Sequence, residues 1–140
     1  MPFDPVANYV PAVRSGNLLY LSGLGPLSKD GLLITGKVGS EVLLPEAREA
    51  ARLVALGLLS TVRDELGSLN RVSRIVKILG MVNCAPGFNQ MPAVIDGCSD
   101  LLMDVFGPSV GAHARSAVGM AELPFDIPVE IEMIVEFQDQ

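Results

Sequence analysis

The sequence predicts an α+β protein in which two amphipathic helices cover one face of a mixed β-sheet. Three observations carry that expectation. Residues 45–66 and 91–106 repeat apolar side chains at three- and four-residue spacing, the period of a helix with one buried face. In 129–137, Val129, Ile131, Met133, Val135 and Phe137 fall on one side of a strand while Glu130, Glu132 and Glu136 fall on the other. Residues 71–84 form a β-branched, mostly apolar run, as a buried central strand requires.

Taken in order, 10–14 and 18–22 are two short β-favouring runs around Ser15-Gly16-Asn17, a hairpin with a Gly-containing turn. Gly23, Gly25 and Pro26 close the second run, 28–31 is a further turn, and 32–35 is read as a short edge strand. Pro45 suits the first turn of the helix at 45–66, Glu46 and Glu49 complement its positive end, and Gly67 stops it. Ala47, Ala51, Val54, Leu58, Val62 and Leu66 make its apolar stripe. The second helix begins at Met91 or Pro92, carries Val94, Ile95, Cys98, Leu101, Leu102 and Val105 inward, and ends at Phe106 before Gly107. Strands at 114–122 and 129–137 complete the order β-β-(β)-α-β-α-β-β.

A chain of 140 residues fits one domain, 1–140, without linker or repeat. Its composition is 49% hydrophobic, with a mean hydropathy of +0.42. A domain this small cannot hide that much apolar surface alone, so we expect a homo-oligomer joined through the uncovered sheet face. The net charge of −6, the lack of Trp and the absence of any Lys/Arg run argue against nucleic-acid binding. No apolar stretch approaches the ~20 residues that span a bilayer. Residues 1–8 have no basic segment leading into an apolar one. Cys84 and Cys98 stand apart, as two buried thiols in a reducing compartment would. The expected location is the cytoplasm.

Most signatures of enzyme chemistry are missing: no Gly-rich phosphate loop, no GxSxG, no HExxH. One histidine, His113, cannot supply a metal cluster, so no metal is expected. What remains is 113–118 together with the strand bearing Glu130 and Glu132. His113, Arg115 and Ala117 share one face of a strand, and an Arg in so apolar a run needs an anionic partner. Two readings stand. Either Arg115 is scaffold, paired with Glu130 or Glu132, or its planar fork is held open for a ligand carboxylate.

Leu21-Ser22-Gly23, Ala114-Arg115-Ser116, and Leu123-Pro124 followed by Val129-Glu130-Ile131-Glu132 resemble the motifs of the RidA/YjgF family. The order of elements matches that family from about Tyr9 to Phe137. The resemblance implies a chorismate-mutase-like fold, a homotrimer with clefts between subunits, and hydrolysis, without a cofactor, of reactive 2-enamino and 2-imino acids to 2-keto acids and ammonia. It further implies that Arg115 holds the substrate carboxylate and that Glu130 serves the attacking water or shuttles protons. Tyr9, Ser22 and the backbone at Ala117 would line the cleft, with His113 and Ser116 as further candidates. The chain departs from active relatives at two cleft positions: Ala117 follows Arg-Ser where they carry Cys, and Pro92 stands where they carry Asn. The alternative activity is non-catalytic binding or sensing of a keto acid or similar small carboxylate through the same Arg115 cleft.

Overall fold

In a computed structural model, which describes residues 8–139, the chain runs β1 (Ala12–Ser15), β2 (Leu18–Leu24), α1 (Leu44–Leu66), β3 (Val72–Asn83), α2 (Met91–Gly111), β4 (Ala114–Met120) and β5 (Val129–Phe137). The strands form one sheet in the order β1-β2-β5-β3-β4. Every neighbouring pair is antiparallel except β3 and β4, which run parallel because α2 carries the chain from one to the other. The sheet is therefore mixed, and the architecture is the α+β arrangement expected.

Both helices lie on one face. The core beneath them takes Leu19, Ile75, Ile78, Val82, Ile131, Met133 and Val135 from the strands and Ala51, Val54, Leu58, Val62, Ile95 and Leu102 from the helices. Burying each such Val, Leu or Ile contributes about 1.5–3 kcal/mol relative to exposing it. Strand β5 alternates as its sequence requires, with Glu130, Glu132 and Glu136 on the uncovered face. Tyr20 and Val13 stay exposed, and a shallow groove on that face is lined by Val13, Tyr20, Ser22, Lys77, Leu79 and Glu132, among others.

Helix α1 begins where Leu43 N–H donates to Glu46 Oε1 at 3.0 Å. It stops at Gly67, whose left-handed φ of 86° returns its N–H to the Arg63 carbonyl at 2.7 Å. Its crossing with α2 depends on Gly97, where any Cβ would run into the Arg48 carbonyl. Helix α2 breaks at Gly107 (φ 79°, ψ 172°), as the sequence indicated, but the chain does not then form a loop. It resumes helical turns through Pro108 to Gly111 before β4.

Three expectations need correction. Val105, placed on the inward stripe of α2, is exposed, because the stripe of buried residues on that helix ends at Leu102 before the break at Gly107. Residues 32–35 form no edge strand. Leu33 makes one isolated bridge to Leu27, inside a tight excursion held by Ser28 N–H to Leu32 O and Ile34 N–H to Pro26 O. Cys98 is buried, but Cys84 is only half-buried, because Gly119 beside its Sγ gives no side-chain cover.

Candidate functional site

Arg115 sits on the edge strand β4 in register with Ile78, which in turn opposes Met133. Its side chain therefore leaves the sheet on the helix-covered side, and it runs over the first half of α2. There Nη1 donates to Ser99 Oγ at 3.0 Å and pairs with Asp96 Oδ1 at 2.9 Å, while Nη2 reaches the Pro92 carbonyl at 3.4 Å. The ion pair with Glu130 or Glu132, the scaffold reading of this arginine, does not form. Those glutamates project from the opposite face of the sheet, and Asp96 supplies the anion instead.

His113 precedes β4 and meets Arg115 at the same hydroxyl. Its Nε2 lies 2.9 Å from Ser99 Oγ, and its Nδ1 lies 2.7 Å from the Gly111 carbonyl. A carbonyl only accepts, so Nδ1 donates to Gly111 and Nε2 faces the Ser99 hydroxyl. Ser99 accepts from Arg115 and is held between that guanidinium and the imidazole. Ala117, in register with Gly80, lies on the Arg115 side, whereas Ser116, in register with Leu79, turns toward the uncovered face.

Glu130 stands in register with Met81 on the uncovered face and packs against Gly23, which leaves no room for a Cβ. The β2–β5 register shifts between Leu21 and Leu24, so the Ser22-Gly23 step forms the bulge that admits this carboxylate. Burial, reinforced by Glu132, raises the Glu130 carboxyl above the usual 4.5. Ser22 donates from Oγ to the Val10 carbonyl at 2.7 Å and from its N–H to Pro11 O at 2.9 Å, fixing the segment that carries the exposed Tyr9.

The residues singled out from the sequence thus fall into two groups within one chain. Arg115, His113 and Ala117 belong to the α2–β4 edge; Ser22, Ser116 and Glu130 belong to the uncovered face, and Tyr9 is exposed ahead of β1. Sequence reasoning missed Asp96 and Ser99. The available signal was two polar residues three apart in an apolar helix, which could not be matched to Arg115 without knowing which strand α2 lies against. Among the described residues no cluster of three His, Cys, Asp or Glu could hold a metal ion, and no helix is long and apolar enough to cross a membrane.

Residues 4–136 match the family model described as "YjgF/chorismate_mutase-like, putative endoribonuclease". Protein TCP17 of Trypanosoma cruzi is 43% identical over 135 residues, covering 96% of this chain and 84% of its own. A 2-iminobutanoate/2-iminopropanoate deaminase of Dermatophagoides farinae is 31% identical over 133 residues, covering 94% and 88%. The crystal structure of Atu1372, a protein of unknown function from Agrobacterium tumefaciens, superposes with a TM-score of 0.91 at 45% identity, covering 96% of this chain and 86% of that one.

Proposed function

The chain belongs to the RidA/YjgF family, and we propose that it hydrolyses 2-imino and 2-enamino acids to 2-keto acids and ammonia in clefts between the subunits of a homotrimer. The observation that carries this reading is the division of the candidate residues between two faces of one sheet. Arg115 and Glu130 cannot serve one small ligand within a protomer, but a second copy packed on the uncovered face brings its own Arg115 edge toward Glu130. The exposed Tyr20 and Val13 of that face suit such packing. The 31% identity to a protein named as an imine deaminase supports the reaction class.

In this cleft the guanidinium binds the substrate carboxylate and fixes the C=N carbon in place. Glu130, held partly out of water, takes a proton from a water as its oxygen bonds to that carbon. That proton passes to nitrogen to give the carbinolamine; Glu130 then carries the hydroxyl proton to the same nitrogen as the C–N bond breaks, which releases ammonia and leaves the keto acid. An enamine first takes a proton on carbon to become the imine. No cofactor enters the scheme, because the imine carbon is already electrophilic.

The second reading, a non-catalytic carboxylate-binding protein, is favoured by Ala117, whose side chain on the Arg115 side of β4 is a methyl group that can neither donate nor accept. One experiment separates the two: ammonia release from 2-aminoacrylate and larger imino acids, generated in situ, by wild type, Arg115→Ala and Glu130→Gln. Hydrolysis lost in both variants supports the deaminase. Wild type no faster than the uncatalysed reaction sinks it and leaves the binding protein.

A further inference from the structure

Arg115 does not present a bare cation to a ligand. Its Nη1 is committed within the chain, to Asp96 Oδ1 at 2.9 Å and Ser99 Oγ at 3.0 Å. Its Nη2 has only the Pro92 carbonyl, at 3.4 Å, a length at which little of a hydrogen bond is left. A ligand carboxylate therefore meets the Nη2 side of the fork. Asp96 is unevenly engaged in the same way. Its Oδ1 is on Arg115, but its Oδ2 has only Arg48 Nη2 at 4.0 Å, the outer limit of an ion pair. The Asp96 side chain is 40% exposed and that of Arg115 26%. A half-engaged cation and a half-engaged anion thus stand next to each other, both open to solvent.

Two such groups make a poor site for a simple carboxylate, because Asp96 repels it. They make a good site for a molecule that carries both charges on neighbouring atoms. We propose that Asp96 and Arg115 together recognise a zwitterion: Arg115 takes the carboxylate, and Asp96 takes the cationic N–H of a 2-iminium or 2-amino acid. The assignment rests on Arg115 being the carboxylate site. It adds a residue that selects substrate over product, since the keto acid sets an oxygen without a proton against Asp96, leaving an acceptor facing an acceptor. Ser99, locked between His113 and Arg115, holds the guanidinium so that the two charges keep their spacing.

Calorimetric titration with L-alanine and with pyruvate, two stable molecules differing in this one group, tests the pair. Wild type is expected to bind alanine at least ~10-fold more tightly than pyruvate, the discrimination a charge-assisted hydrogen bond supplies. Asp96→Asn should bring alanine down to the pyruvate level and leave pyruvate no weaker, with Asp96→Glu, which keeps the charge, retaining the preference. Arg115→Ala should lose both ligands. A wild type that binds pyruvate as tightly as alanine overturns the proposal, as does an Asp96→Asn variant that keeps the preference or weakens both ligands equally. If Arg115→Ala binds both ligands as wild type does, or wild type binds neither at millimolar concentration, the carboxylate reading of Arg115 itself falls. Thermal melts of each variant show whether a loss reflects the site or the fold.

Discussion

Arg115 and Glu130 project from opposite faces of one sheet. Arg115 is in register with Ile78, and Glu130 with Met81, three positions further along β3 and so on its other side. A site using both residues must borrow one from a neighbouring subunit.

Mixed oligomers test this directly. Arg115→Ala and Glu130→Gln should each be inactive alone. When the two are co-expressed or refolded together, some clefts receive an intact Arg115 from one chain and an intact Glu130 from the other. Random mixing in a cyclic oligomer restores about a quarter of the wild-type sites. Ammonia release that stays at the background of the single variants would show that the two residues do not meet across subunits.

Glu130 should leave a mark on stability as well as on rate. Its carboxyl lies above the usual 4.5 because burial, and then Glu132, disfavour its charge. The folded state therefore holds the proton more tightly than the unfolded chain. This contribution is full below 4.5 and is lost as pH rises through the raised value. Glu130→Gln does not titrate, so its stability relative to wild type should increase as pH climbs from below 4.5 to neutrality, as read by urea melts across that range. Wild-type turnover should rise over the same interval as the carboxylate form appears.

Gly97→Ala tests the helix crossing. The added methyl meets the Arg48 backbone carbonyl, which cannot rotate away as a side chain would. Separating α1 from α2 should cost about 1–3 kcal/mol in equilibrium denaturation. It should also weaken ligand binding, because Asp96 and Ser99 flank this residue on α2.

Asn83 is fully buried and ties two loops together. Its Nδ2 donates to Asp126 Oδ1 and to the Ile127 carbonyl, both at 3.0 Å, and its Oδ1 accepts from Lys37 Nζ at 2.8 Å. Asn83→Ala strands the Ile127 carbonyl and opens a cavity, for an expected loss of about 3 kcal/mol. Lys37→Met should cost less, because Lys37 is partly exposed and water can replace it.

Cys98 should be inert in the native protein. Burial pushes its thiol up to about 12, against the opposing pull of Arg115. At mildly alkaline pH its thiolate is then on the order of one part in ten thousand. Alkylation followed by mass spectrometry should find Cys98 unmodified until denaturant is added, with the half-buried Cys84 reacting first.

Local pattern alone set both helices, five of the six expected strands and most of each inward stripe, because period and punctuation are local properties; it erred at 32–35 and at the exposed Val105. Pro45 and Gly67 bound α1, Gly107 interrupts α2, and the Val129–Phe137 alternation divides β5 into a core side and an acidic side. It also singled out Arg115 as an arginine in need of an anion. Which anion was a tertiary matter. The glutamates of β5 are the eye-catching candidates in the sequence, yet α2 lies over β4 and delivers Asp96 and Ser99 to Arg115. Only the order β1-β2-β5-β3-β4 and the parallel β3–β4 register decide that Arg115 and Glu130 leave opposite faces. The physical reason is that side-chain period assigns a residue to one side of its own element. Which side of the sheet that becomes, and which neighbour waits there, follows from pairings between residues far apart in the chain.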